Sequence, residues 1–231
     1  MNILDVSQGT KAWFDLRRCK VTGTKLDSVM GSALDKVNLI SELISEEATE
    51  QTKILRPTEE MERGTAEEVF AIKEFEARTG KVVDRLGICI SQEFDWLSLS
   101  PDGFIKNEEG KYTEAIEVKS PNSQTAIFYR LSNLIPADEL GLTKSKQTFL
   151  GIPAQYKWQV VDYFLVNTDL EKLYFVVYDA RFIDEDQKLY VVEVSRENEL
   201  LQEALVEARE ALIKFRENWL RWRDIILPTK F

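Results

Sequence analysis

No histidine occurs anywhere in the 231 residues of this chain. Ser-His-Asp hydrolases, Cys-His proteases, His-ligated zinc enzymes and nucleases with a histidine base all need a residue that is missing here. A hydrolase built from this sequence has to work with carboxylates, lysine and a metal ion. Cysteine is nearly as scarce. Cys19 and Cys89 stand far apart and match no metal or redox spacing. Two thiols cannot supply the four ligands of an iron–sulfur nuclease; they read as small buried or half-buried residues in a reducing compartment. No apolar run approaches the ~20 residues that cross a bilayer. Met1 to Asp5 lacks the basic-then-apolar pattern of a secretory leader. A cytoplasmic location without membrane contact is expected.

Basic residues are in deficit, with 30 Lys and Arg against 40 Asp and Glu, a net charge of −10. A nucleic-acid binder usually shows a basic footprint. Binding depends on the local field, however, and net charge averages over the whole surface. Much of the acid lies in Ser41 to Glu62 and Arg196 to Glu217, two segments expected as helices facing water. With 44% hydrophobic residues, the chain can fill a sizeable core as one domain over 1–231.

Hydrophobic spacing sets the expected elements. Thr22-Gly23-Thr24 offers a turn and N-cap ahead of Lys25 to Met30. Gly31 to Asn38 reads as a loop and Leu39 to Thr49 as a helix with Ile40, Leu43, Ile44 and Ala48 on one stripe, broken by Arg56-Pro57. Thr58 to Thr79 is a stronger helix, with Met61, Ala66, Val69, Phe70, Ile72 and Phe75 at helical spacing and Gly80 placed as its cap. Strands follow at Val82 to Ile90, Trp96 to Ser100, Phe104 to Lys106 and Thr113 to Lys119, expected as an antiparallel meander. Pro153 to Asn167 reads as a helix, Lys172 to Ala180 and Lys188 to Val194 as strands. Glu197 to Ile226 reads as a long amphipathic helix with Leu200, Leu201, Ala204, Leu205, Ala208, Leu212 and Phe215 inward. The order predicts an α/β (α+β) fold: a central mixed β-sheet flanked by helices, closed by a long C-terminal amphipathic helix.

The chemistry concentrates at Ser100-Pro101-Asp102 and Glu117-Val118-Lys119. Side chains alternate across a strand, so Glu117 and Lys119 share one face and Ile116 and Val118 take the other. If the two segments pair, Asp102 joins Glu117 beside an amine. Two carboxylates hold a hard divalent cation such as Mg²⁺, and lysine beside it can orient or deprotonate a water. Ser120-Pro121 ends the strand abruptly. Glu68, mid-helix, is a third acid candidate, and Gln159, one turn from Tyr156, can reach the same place. Arg17 and Arg18 with Thr22-Gly23-Thr24 supply guanidinium, hydroxyl and amide groups for a phosphate.

This set resembles the PD-(D/E)XK nucleases. In its order it is similar to the lambda-exonuclease and YqaJ-type viral recombinase family. The carriers are Trp13-x-x-x-Arg17, Thr22-Gly23-Thr24, Gly64-x-x-x-Glu68, Ser100-Pro101-Asp102-Gly103, Glu117-Val118-Lys119, Tyr156-x-x-Gln159 and the late run Tyr174 to Phe182. The resemblance spans roughly residues 10 to 225. It implies a restriction-endonuclease-like core and a 5′-to-3′ exonuclease on linear double-stranded DNA. Such an enzyme prefers a 5′-phosphorylated end and uses Mg²⁺, or Mn²⁺ in its place, with one or two ions per site. By the same resemblance Asp102, Glu117, the Val118 carbonyl and Glu68 bind metal, and Lys119 acts on the attacking water. Ser100 and Gln159 hold the scissile phosphate or water, with Tyr156 beside them. Arg17, Thr22 and Thr24 grip the 5′-phosphate, and Met61 wedges between the end bases. A ring-shaped homotrimer, a single-strand annealing partner and, for a phage-encoded chain, the host cytoplasm are further implications. The sequence departs from the family in a longer Asn107 to Tyr112 loop, and in having Lys36 where an arginine is expected between Gly31 and Asn38. An endonuclease or junction resolvase on the same core, and a non-catalytic DNA-end-binding module, stand as alternatives.

Overall fold

The computed structural model describes residues 1–52, 58–141 and 148–228. In chain order the elements are β1 (Asn2–Leu4), α1 (Lys11–Arg17), β2 (Val21–Thr22), α2 (Gly23–Met30), α3 (Ala33–Thr49), α4 (Glu59–Thr79), β3 (Ile88–Ile90), β4 (Leu97–Leu99), β5 (Gly103–Lys106) and β6 (Tyr112–Lys119). After these come α5 (Ser123–Leu134), β7 (Thr148–Phe149), β8 (Ile152–Pro153), α6 (Lys157–Val166), β9 (Lys172–Tyr178), α7 (Glu185–Lys188), β10 (Leu189–Ser195) and α8 (Glu199–Ile226). This is the mixed α/β class that the order of the sequence predicts. No helix among the described residues is long and apolar enough to cross a membrane.

The strands form two four-stranded sheets, ordered β1-β3-β4-β2 and β10-β9-β6-β5, with β7-β8 as a small hairpin. The expected meander is therefore divided. Strands β3 and β4 pair in the first sheet, β5 and β6 in the second. The chain crosses between them at Ser100-Pro101-Asp102. Pro101 has no N–H to give a ladder, so pairing stops there. The second sheet is mixed, since β6 runs parallel to β9 while both edge pairs are antiparallel.

Both faces of that sheet are covered. On one face Ala71, Ile72 and Phe75 of α4 pack against Ile105, Ile116, Val118, Tyr174 and Val176. On the other, Ala115, Leu173, Phe175 and Val177 join the main core with α2, α3, α6 and α8. Strand alternation thus sends Glu117 to the α6 side, where it is only 2% exposed. The segment Val83–Asp84 passes closely over β5 at Gly103. A Cβ there would lie 2.2 Å from Val83 Cγ1 and 3.1 Å from Ile116 Cγ2, so only glycine fits after Asp102.

Several boundaries differ from the sequence reading, each for a local reason. Helix α3 starts at Ala33, because Ser32 and Asp35 form a reciprocal capping box; Gly31 to Asn38 is mostly helix and Lys36 lies on it. The breaker Arg56-Pro57 lies outside the described residues. Val82 to Ile90 is a strand only over its last three residues: the Val83 N–H is taken by Glu76 Oε1 at 2.8 Å, and Asp84 makes a single bridge to Phe104. Ile152-Pro153 pairs as β8, and a 3-10 turn over Ala154–Tyr156 precedes α6, so that helix begins at Lys157. Ala48, Met61, Ala66, Val69, Phe70 and Leu200 are exposed; the buried stripes run through Leu39, Ile40, Leu43 and Ile44, through Ala71, Ile72 and Phe75, and from Leu201 to Trp219. Glu46 breaks the expectation of a water-facing acidic segment. It is buried, accepting the Cys19 N–H at 2.7 Å with Lys25 Nζ 3.5 Å away.

Candidate active site

Helix α6 and strand β6 build the centre of the site. Gln159 and Tyr163 lie one turn apart on α6 and so share a face. Both reach Glu117. The Gln159 amide donates to Glu117 Oε1 at 2.6 Å, and the Tyr163 hydroxyl donates to Glu117 Oε2 at 2.6 Å. Lys119, two residues along the strand, places its ammonium 2.5 Å from Glu117 Oε1 and donates to the Gln159 carbonyl oxygen at 3.1 Å. That ammonium also lies 4.8 Å from the centre of the Tyr156 ring, a cation–π distance.

Asp102 enters from the crossing between the sheets. Its Oδ2 accepts the Val118 N–H at 2.7 Å, and its own N–H donates to the Tyr163 hydroxyl at 3.2 Å. The two carboxylates expected to act together are therefore tied through one tyrosine and one backbone amide. Glu68 comes from α4 and is paired with Arg85, a residue the sequence reading did not select. A basic residue just before a strand carries little signal until the fold brings it to α4.

The electrostatics follow from packing acids together away from water. Burial drives the Asp102 carboxyl well above its ordinary range, and the neighbouring Glu117 and Glu68 charges push the same way against Lys119. Burial also raises Glu68, with Arg85 opposing. Burial disfavours the Lys119 ammonium, but Glu117 and Asp102 outweigh it, and its affinity for the proton rises. Burial and then Glu117 hold the Tyr163 hydroxyl firmly protonated. One ammonium thus faces three acids. Among the described residues no three such side chains are gathered as closed metal ligands. Asp102 and Glu117 are oxygen donors of the kind that suits a hard cation, with surplus negative charge around them. Glu68 lies in the surrounding field and is turned to Arg85.

A second group adjoins the first. Arg17, Thr22, Gly23, Thr24, Leu99, Ser100 and Gln159 line a cavity of about 50 Å³. Arg17 donates to Ser100 Oγ at 2.7 Å and stacks 4.1 Å over Trp13. The Thr22 and Thr24 hydroxyls are 3.5 Å apart. Thr22 caps α2 without a side-chain bond to the backbone, so the first amides of that helix are free to face an anion. Gln159 belongs to both groups and joins the cavity to the carboxylates. Arg18 turns away, to the Glu50 carbonyl. Met61 is exposed in the first turn of α4, and no contact joins it to the carboxylates. The hydroxyls of Tyr156 and Tyr129 are 3.3 Å apart.

The mixed sheet flanked by helices on both faces is a fold shared with solved alkaline exonucleases. The crystal structure of LHK-Exo, an alkaline exonuclease from Laribacter hongkongensis, superposes with a TM-score of 0.70 at 24% identity, covering 94% of this chain and 98% of that one. LHK-Exo in complex with dAMP matches at 25% identity over the same shares, with a TM-score of 0.69. A phage-related exonuclease from Haemophilus somnus 129PT shares the fold at 18% identity, with a TM-score of 0.55 over 87% of this chain and 95% of that one. The YqaJ-like viral recombinase domain matches residues 12–171, and the chain belongs to that family. No curated protein matches it.

Proposed function

We propose that this protein is a Mg²⁺-dependent exonuclease that degrades one strand of linear double-stranded DNA from a 5′-phosphorylated end. It releases 5′-mononucleotides and leaves a 3′ overhang. The observation that carries the reading is the bonded set of Asp102, Glu117, Lys119, Gln159 and Tyr163 at the end of β6. Family membership and the likeness to LHK-Exo support it. Manganese serves in place of magnesium, with one or two ions per site.

When bound, the cation neutralises the scissile phosphate oxygens and makes a water more acidic. Asp102, Glu117 and the Val118 carbonyl would hold it, and Glu68, paired with Arg85 in its absence, would complete the acidic shell directly or through water. Tyr163 fixes one Glu117 oxygen and Gln159 the other, so the carboxylate cannot rotate away. Lys119 orients the attacking water and offsets the charge of two acids. Arg17, Ser100, Thr22 and Thr24 receive the terminal phosphate. After each cut they meet the newly exposed one, which favours successive steps along a strand. Met61, exposed on α4, wedges the end base pair. Cytoplasmic location, a homotrimeric ring and delivery of the 3′ strand to an annealing protein complete the proposal.

A time course on linear duplex labelled at either end, with and without 5′-phosphate and Mg²⁺, tests it. Release of label from the 5′ end first, only with Mg²⁺ and faster with 5′-phosphate, is the expected result. Cutting of covalently closed circular duplex would favour an endonuclease. Binding of ends without any Mg²⁺-dependent release would favour a non-catalytic module.

A further inference from the structure

Asp162 lies between Gln159 and Tyr163 on α6, with no exposure to solvent. Neither of its carboxyl oxygens accepts a hydrogen bond from any described residue. Buried acids are nearly always bonded, because an unpartnered carboxyl is costly to hold away from water. Its Oδ2 lies against Gly23, 3.3 Å from where a Cβ on that residue would stand. Gly23 is one of the residues lining the Arg17 cavity, so the carboxyl packs against a residue that borders the place where a phosphate would rest. Arg17 is the cation in its field, and Glu117 adds a like charge.

We infer that Asp162 is a tempering residue for the phosphate cavity: its carboxyl opposes an anion held by Arg17 and keeps the grip on the DNA end weak enough to be released at every step. The inference rests on the reading of that cavity as the 5′-phosphate site. Once ionised, a carboxylate with no hydrogen-bond donors around it projects its field across Gly23. Burial, and with it Glu117, raises the acid's affinity for its proton well above the ordinary carboxyl range, against Arg17, so the carboxyl is charged only on the alkaline side of that raised value. There the anion binds against a charge or after the acid has taken a proton, and both routes cost affinity. A cavity with Arg17 alone would hold the end more tightly and let it go more slowly, and slow release limits turnover.

The test compares wild type, Asp162→Asn, Asp162→Leu and Arg17→Ala on hairpin-capped duplexes with one free end, carrying either 5′-phosphate or 5′-hydroxyl. Affinity is read by fluorescence anisotropy in EDTA, and kcat and KM by mononucleotide release in Mg²⁺. With affinities read across an alkaline pH series, removing the carboxyl is expected to tighten binding of the phosphorylated end about tenfold where the acid is ionised, as for a unit charge taken from a poorly screened site, with a smaller gain on the hydroxyl end and the gain fading as pH falls. KM and kcat fall together on the phosphorylated duplex. A residue that merely supported the fold would raise KM, and its loss would lower the melting temperature. Asn and Leu are expected to raise it, since an unpartnered buried acid is lost. Leu gives the readout if Asn folds poorly. Unchanged or weakened binding of phosphorylated ends in folded variants overturns the inference while leaving the cavity reading intact. If wild type and Arg17→Ala bind phosphorylated and hydroxyl ends alike, the cavity reading itself fails and the inference falls with it.

Discussion

Tyr163 holds Glu117 in place, donating its hydroxyl to Oε2 at 2.6 Å while accepting the Asp102 N–H at 3.2 Å. One phenol thereby sets the relative position of both carboxylates. Tyr163→Phe keeps the ring packed but leaves a buried carboxylate oxygen and an amide short of a partner. Stability is expected to drop by about 1–3 kcal/mol, measured by denaturant titration. The Mg²⁺ concentration for half-maximal nuclease activity should rise. An unchanged Mg²⁺ requirement would show that Tyr163 does not order the acids.

Lys119 is the ammonium set against the Asp102, Glu117 and Glu68 acids. Lys119→Ala is expected to lower mononucleotide release by about 10²–10⁴-fold, the usual loss of a positioned proton-transfer group. Duplex binding should be retained, because the Arg17 cavity is untouched. Gel-shift and release assays on the same preparation separate the two effects.

Asp102 gives stability a pH dependence whose sign can be worked out. Burial and Glu117 raise its folded-state pKa above the ordinary 3.8. The folded protein therefore binds this proton more tightly than the unfolded chain. Its contribution is most favourable below 3.8 and is lost as pH rises from there through the raised value. In EDTA, Asp102→Asn should melt at a higher temperature than wild type at neutral pH, with the gap closing toward pH ~4 as the Asp102 carboxyl becomes neutral in the folded and unfolded wild type alike. Adding Mg²⁺ should stabilise wild type more as pH increases, since cation binding needs ionised acids. A gap that stays constant across the pH series would contradict the assignment.

Arg181 supports the site from outside. Asp179 is buried at the end of β9 and accepts the Arg181 Nε at 2.7 Å and its backbone N–H at 3.0 Å, while the same guanidinium donates to the Pro121 carbonyl at 2.9 Å. Arg181→Ala takes the guanidinium from that buried acid and leaves it the residue-181 backbone N–H. A loss of about 3 kcal/mol is expected, and Asp179→Asn in the same background should recover part of it. Equilibrium unfolding of the single and double variants measures both.

Gly103→Ala tests the junction behind Asp102. The added methyl would collide with Val83 and Ile116, and a cost of about 1–3 kcal/mol is expected from overpacking. Val83→Ala should rescue it, by thermal melting, because Val83 is the nearer obstacle.

Much of this was legible before any coordinates. The alternation in Ala115 to Lys119 placed Glu117 and Lys119 on one face, and β6 shows them so placed, with Ile116 and Val118 on α4. The spacing of Tyr156 and Gln159 put the amide on the face that meets β6. Other features left no readable trace. Arg85 pairs with Glu68 across 17 residues of chain, and no local pattern announces such a partner. Asp162 sits in an apolar run, Val160 to Val166, where a lone acid resembles a solvent-facing position until helix α2 covers it. Hydrophobic spacing does not announce helices α1 and α5, although Thr10 and Asn122 cap them, accepting N–H groups from Trp13 and Thr125. The caps were readable; the helices are short and their apolar faces partly exposed, so periodicity gave little help. The division of the strands into two sheets was hidden because hairpin signals say which neighbours can pair, and Pro101 alone marks where pairing stops.

The crossing at Ser100-Pro101-Asp102 has a mechanical consequence. The residues facing the cavity, Thr22 and Ser100, belong to or border the first sheet, whereas Glu117 and Lys119 belong to the second. On the proposed reading, holding an end and cutting it are thus mounted on two sheets that share a core and meet at this crossing and at Gln159. A brief parting of those layers would uncouple the two tasks without melting either. On warming, activity should therefore fade before the circular-dichroism signal does.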